Sequence, residues 1–343
     1  MGALSLDLLL AVLFSVVLAV DARAASGYRG PKSDHFDGKR FTEYRAMKAG
    51  TIFKWMWTRK PGPWKPWRDV PPGPKPPCKV GEGDLRVTFV GHATVLVQMD
   101  GLNFLTDPVW SDRVGPASWL GPGRVRPPGI RFEELPPIDV VLLSHNHYDH
   151  LDLPTLRRLQ VSSNPLIVTG LGVGSFLKAK GFGRVAELDW WQSVSLATGR
   201  KITAAEVRHF SGRLPWDQNR TIWVGFMVEG SRGGVYFGGD TGYGPHFKAT
   251  REKLGSPRFA ILPIGAYLPA YIMAPVHLNP IEAVQAFHDL GAAHGCPVHF
   301  GTFRVADDGE DEPVELLGKV ISGDPAVAGR FRVVGFGEGW DVP

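Results

Sequence analysis

The run Val140 to Ser144 is apolar on both of the faces a strand would present, and it leads straight into His145-Asn146-His147-Tyr148-Asp149-His150. A strand of that kind belongs inside a sheet covered on both sides. Its end must then accommodate three imidazoles and a carboxylate. If they only bonded one another, several buried polar atoms would stay unpaired, at about 1–3 kcal/mol each. A shared cation removes that difficulty. His145 and His147 are two apart, so an extended strand end turns both to one side. The chain then bends and presents Asp149 and His150 from another direction. Two donor pairs with different approaches suit two adjacent metal ions. Mixed imidazole and carboxylate donors suit zinc, with iron or manganese as alternatives.

A binuclear site needs donors from distant strands. His209 closes the apolar-alternating stretch 201–209, and Asp240 follows Val235-Tyr236-Phe237, with Gly238 and Gly239 allowing close backbone approach. His299 closes the short segment Cys296-Pro297-Val298. Together with His145, His147, Asp149 and His150 they complete a candidate ligand set. Asp107, in Thr106-Asp107-Pro108, suits the acceptor for the free N–H of a ligating histidine. His92 reads as a satisfied core residue or a support behind the ligands. Tyr148 either touches substrate or is structural. His35, His246, His288 and His294 read as structural or surface groups.

Around this motif the chain alternates short strands and helices. Strands are predicted at 85–90, 94–99, 103–107, 140–144, 166–169, 201–209, 221–228, 235–238 and 259–263, and helices at 153–160 and 172–181. Asn279-Pro280-Ile281-Glu282 is a helix start: Asn caps, Pro suits the first position, and Glu reaches back. That helix runs to about Asp289 and stops near Gly291. No internal repeat is visible. The fold expected is a four-layer αββα sandwich, sheet against sheet with helices outside.

The chain has 343 residues, 43% of them hydrophobic, enough for a large core. Three parts are expected: 1–24 as a signal peptide or N-terminal anchor, 25–84 as a basic Pro/Trp-rich arm, and 85–343 as the sandwich domain that carries the donors. Leu8 to Val20 is an uninterrupted apolar run, short for a span but suited to a signal core, with Ala22-Arg23-Ala24 as a cleavage site. No Lys or Arg precedes it, and Asp7 stands where positive charge is usual. Export to a periplasmic or membrane-associated location is expected. From Tyr28 to Val80, 13 Lys and Arg face 4 acids, an excess of +9, so with a net charge of +4 the remainder carries −5. Repeated prolines argue against a long helix or central strand there. We expect an extended arm over the domain, its cations and tryptophans offered to lipid headgroups or simply covering the sheet. Two cysteines, Cys78 and Cys296, exclude a disulfide framework.

Taken together, His145 to Asp152, His209, Gly238 to Tyr243, Pro263 to Tyr267 and Val298 to Phe303 resemble the metallo-β-lactamase superfamily. More specifically the chain resembles the N-acylphosphatidylethanolamine phospholipase D branch and its bacterial members. The resemblance runs from about His35 to the C-terminus and includes 91–97, 104–110, 121–129, 134–152 and 187–191. It implies that His145, His147 and His209 hold one zinc, Asp149, His150 and His299 the other, and that Asp240 bridges the two Zn2+ with a hydroxide that attacks phosphorus. The products implied are phosphatidic acid and an (N-acyl)ethanolamine. His277 matches a histidine placed beside the substrate phosphate. A phospholipid substrate, a membrane surface and a homodimer are the implied partners; nucleic acid is not among them. Two rival readings stand: a lactonase or other small-molecule hydrolase of the same fold, and a non-catalytic lipid-binding envelope protein.

Overall fold

The computed structural model describes residues 27–42, 49–214 and 216–343. The predicted leader lies outside them. Two sheets stack face to face. The first holds, in order, β13 (Gly339–Asp341), β1 (Leu85–Gly91), β2 (Thr94–Met99), β3 (Leu102–Thr106), β4 (Val140–Leu143), β5 (Leu166–Gly170) and β6 (Val185–Leu188). The second holds β12 (His294–Val298), β11 (Phe259–Pro263), β10 (Val235–Phe237), β9 (Gly225–Val228), β8 (Lys201–Ala205) and β7 (Ser193–Ser195).

Alternation along the strands explains the layering. Val95, Val97, Val140 and Leu142 face the core shared with Phe226, Phe237 and Ile261 of the second sheet. Leu96, Val141 and Leu143 face the other way, onto Leu156 and Leu159 of α2 (Leu153–Ser162) and Phe176 and Leu177 of α3 (Val173–Ala179). Strand β4 is therefore buried on both faces, as its composition requires. Outside the second sheet lie α4 (His246–Leu254), α6 (Pro280–Leu290) and α7 (Glu312–Ser322), which contribute Phe247, Phe287 and Leu317 to the larger core. Asn279 caps α6 through the N–H groups of Ile281 and Glu282, Glu282 reaches back to Asn279 N, and Gly291 ends the helix at φ 62°. The αββα sandwich is the fold expected.

Several expected boundaries moved. The stretch 201–209 stops being a strand at Ala205, where pairing with β9 ends, and Arg208 N turns to Thr241 Oγ1. Residues 221–224 are not part of β9, because Ile222 N and Val224 N bond Leu171 O and Ser144 O, just past the ends of β5 and β4, instead. The strand before His299 begins earlier, at His294. Helices α4, α7 and the short α5 (Ala270–Met273) had no expectation. The arm contains α1 (Ala49–Thr58), which ends before the first of the clustered prolines, Pro61. From Gly62 onward the arm is irregular and bonds to the body, Gly62 N to Asp307 O, Arg68 N to Val125 O and Gly73 N to Gly129 O. Cys78 and Cys296 are free thiols. Among the described residues no helix is long and apolar enough to cross a membrane.

Candidate metal centre

The site is built where strands of both sheets run out. His145 to His150 follow β4, Asp107 follows β3, Asp240 follows β10 and His299 follows β12. Close approach needs two glycines. Gly239, at φ +56°, lies where a Cβ would be 2.6 Å from Ser144 Cβ, and one on Gly265 would be 2.0 Å from His299 O. Larger residues would push the strand ends apart. His92, Asp107, Ala266 and His299 all hold positive φ without being glycine. Such backbone strain gathers where surrounding packing fixes a functional geometry.

The predicted donors come together in two groups. In the first, His147 Nδ1 is 2.8 Å from His145 Nε2 and 3.3 Å from His209 Nε2. In the second, Asp149 Oδ2 is 3.6 Å from His299 Nε2 and 3.7 Å from His150 Nε2. Asp240 Oδ2 lies between them, 3.2 Å from His150 Nε2 and from His299 Nε2 and 3.8 Å from His209 Nε2. His277 Nδ1 is 3.9 Å from Asp240 Oδ2, close enough to form a third potential donor group with His209 and Asp240.

Three of the rings are held from behind. His150 Nδ1 donates to Asp107 Oδ2 at 2.6 Å, and His209 Nδ1 to Val276 O at 2.9 Å. Ser144 Oγ donates to Asp107 Oδ2 at 2.6 Å, so its lone pair receives His145 Nδ1–H at 2.9 Å. His92 sits 3.0 Å from Asp149 Oδ2. Burial, then the neighbouring His299, push the His92 pKa down to about 3, so the neutral ring donates its Nε2–H. Asp107 and His92 thus stand behind the donors. Ser144 and the Val276 carbonyl do the same, and nothing in the sequence pattern marked either. Tyr148 is half-buried, packed with Val109, Val114 and Phe303 under the Arg213 guanidinium, 3.8 Å from its ring. His35 bridges Asp34 and Asp189, and His246 meets Thr241. His288 pairs with Asp324, and His294 lies against the Trp340 ring.

The electrostatics favour a cation. Burial holds His145 and His209 well below the ordinary imidazole range, and His147 at about 4, so all three offer lone pairs at neutral pH. Burial opposes charge on His150 and His299 too, but the surrounding carboxylates together outweigh it (Asp240, Asp149 and Asp107 for His150, Asp240 and Asp149 for His299), raising His150 well above the usual value and His299 to about 9. The carboxylates therefore demand positive charge at this point. Buried His150 Nε2, His299 Nε2, Asp240 Oδ1 and His277 Nδ1 make no hydrogen bond. Nitrogen and carboxylate donors that face one another without bonding fit a borderline divalent metal.

An αββα sandwich with such donor groups at its strand ends suits a metalloenzyme, and its relatives make it a metal-dependent hydrolase. The chain belongs to the metallo-β-lactamase superfamily: residues 102–300 match the beta-lactamase superfamily domain. It is 40% identical over 274 residues to the N-acyl-phosphatidylethanolamine-hydrolyzing phospholipase D 1 of Caenorhabditis elegans, covering 76% of this chain and 77% of that one. An uncharacterized protein of Mycobacterium tuberculosis is 40% identical over 258 residues, 73% of this chain and 68% of that one. A metallo hydrolase from Ignicoccus hospitalis shares the fold with a TM-score of 0.59 at 21% identity, over 76% of this chain and 99% of that one.

Proposed function

We propose that the chain is a two-zinc phosphodiesterase that hydrolyses N-acylphosphatidylethanolamine, or a closely related phospholipid, to phosphatidic acid and an N-acylethanolamine. One observation carries this reading. Two donor groups share Asp240, in a chain 40% identical across most of its length to a C. elegans enzyme named for that reaction.

In this reading His145, His147 and His209 would hold one ion and Asp149, His150 and His299 the other, with Asp240 available to both. Two zinc ions bound there would supply a water acidic enough to attack at neutral pH and a positive field for the phosphate. The water oxygen joins phosphorus, and the bond from phosphorus to the ethanolamine oxygen breaks, leaving the phosphate on the diacylglycerol. The chain's own groups set the geometry. Asp107, Ser144 and the Val276 carbonyl fix which nitrogen of His150, His145 and His209 faces inward, and His92 holds the Asp149 carboxylate. Burial first, against the pull of Asp240, brings the His277 pKa down to about 4. Its neutral ring carries one N–H, suited to a phosphoryl oxygen or to the departing alkoxide.

The reading extends to location: the apolar run Leu8–Val20 exports or anchors the chain, and the outward face of the arm meets lipid headgroups. Purified protein should contain two zinc ions per chain. Incubation with N-acylphosphatidylethanolamine vesicles should release phosphatidic acid and N-acylethanolamine in equal amounts by liquid chromatography. A zinc-loaded enzyme that leaves the lipid intact but opens lactones would overturn the assignment.

A further inference from the structure

The acidic segment 305–312 has two sets of partners. One is the N-terminal arm. Asp307 Oδ2 accepts the indole N–H of Trp55 at 2.7 Å, and its Oδ1 accepts Arg59 Nε–H at 3.0 Å. Arg59 also donates to Ala306 O at 2.9 Å and lies over the Trp55 ring, 4.9 Å from its centre. The Trp64 indole donates to Asp308 O at 2.8 Å. Farther along, buried Glu310 pairs with Arg68 and Arg126.

The other partner is the loop after β11. Asp308 Oδ2 accepts Ala266 N–H at 3.1 Å, Asp307 N donates to Leu268 O at 3.0 Å, and Tyr267 Oη donates to Glu312 Oε1 at 3.0 Å. This loop reaches the metal centre, because Gly265 lies against the carbonyl of His299. Trp55 packs with Ala266, Ile272 and Met273, and the Met273 carbonyl accepts His277 N–H at 2.8 Å. The arm is thus linked through one layer of residues to both His299 and His277. Ala266 sits at φ 59°, a conformation that persists only while its surroundings over-determine it.

We infer that Trp55 and Arg59 are positioning residues of the hydrolytic site: the arm, clamped on Asp307, buttresses the loop that borders the metal centre and is not only a surface strap. Helix α1 turns Trp55 inward while Trp57 is 83% exposed, so only the inward face bears on the site. Removing Arg59 or Trp55 leaves the Asp307 carboxylate, 7% exposed, short of partners, and the loop it supports relaxes. The inference rests on the reading that His277 and His299 border the substrate.

The test uses full-length, zinc-loaded protein and a soluble diester, bis(p-nitrophenyl) phosphate, which needs no membrane. Arg59→Ala and Trp55→Ala should each lower kcat/KM about tenfold with zinc content unchanged. Amide hydrogen exchange across 264–277 should quicken about tenfold while the sheets stay protected. Arg59→Lys should recover part of both losses, and Trp57→Ala should match the parent in both. Parent-like rates and exchange in Arg59→Ala and Trp55→Ala would overturn the inference, and so would faster exchange spread over the whole domain. If the parent cleaves the diester but not N-acylphosphatidylethanolamine, the lipid assignment falls and the arm result still stands.

Discussion

Asp107 Oδ2 lies 2.6 Å from His150 Nδ1, and neither side chain is exposed to solvent. Through Ser144 the same carboxylate also supports His145, so one buried anion orients an imidazole in each donor group. Asp107→Asn should therefore weaken metal binding at both positions, by about 10–100-fold. Equilibrium dialysis against zinc measures it; two affinities equal to the parent's would remove this role from Asp107.

Asp240 is the only donor within 4 Å of residues from both groups among the ion pairs of the described residues. Asp240→Asn keeps the shape and removes the charge that joins them. Zinc content should fall below two per chain and turnover by more than about a hundredfold. Steady-state rates and metal analysis on the same sample decide it, and a fully loaded, active variant would rule the bridge out.

His277 stands at the margin of the centre, its ring 5.1 Å from His209 and 5.5 Å from His299. As a hydrogen-bond donor to substrate it should matter for rate and not for metal. His277→Ala should cut kcat about a hundredfold or more at unchanged zinc content. Loss of an ion would instead make it a ligand with His209 and Asp240.

His246 provides a pH test away from the donors. Burial, then Arg208, lower its pKa to about 3, against 6.5 for an exposed imidazole. Above pH 6.5 it is neutral folded or unfolded. As the pH falls below 6.5 only the unfolded chain takes up the proton, so stability drops until about pH 3. At pH 5 this costs about 2 kcal/mol. His246→Gln should lose that much less stability than the parent between pH 7 and pH 5 in urea melts. Equal losses would show that His246 does not carry the effect.

The α6 boundaries were legible because a cap is local: Asn279, Pro280 and Glu282 satisfy the first turn among themselves, and Gly291 ends it. Strand β4 and the donors after it were legible for the same reason, an apolar run followed by side chains that need a cation. The ends of β8 and β9 were not. Ile222 and Val224 look like strand residues, but their amides find partners just past the ends of β5 and β4, and periodicity does not say which segment an amide will meet. Helix α1 was hidden by the prolines after it, although none lies within it.

The chain's own order of residues determined the α6 cap, the burial of β4 on both faces and the His145–His150 cluster after it, because those follow from spacing within a turn or a strand. Tertiary structure decided which nitrogen of His145, His150 and His209 faces inward, that Ser144 and the Val276 carbonyl hold two of the rings, and that Trp55 and Arg59 reach Asp307. Tautomer, burial and charge all depend on groups brought within 3 Å by packing of segments far apart along the chain. No local pattern encodes that meeting.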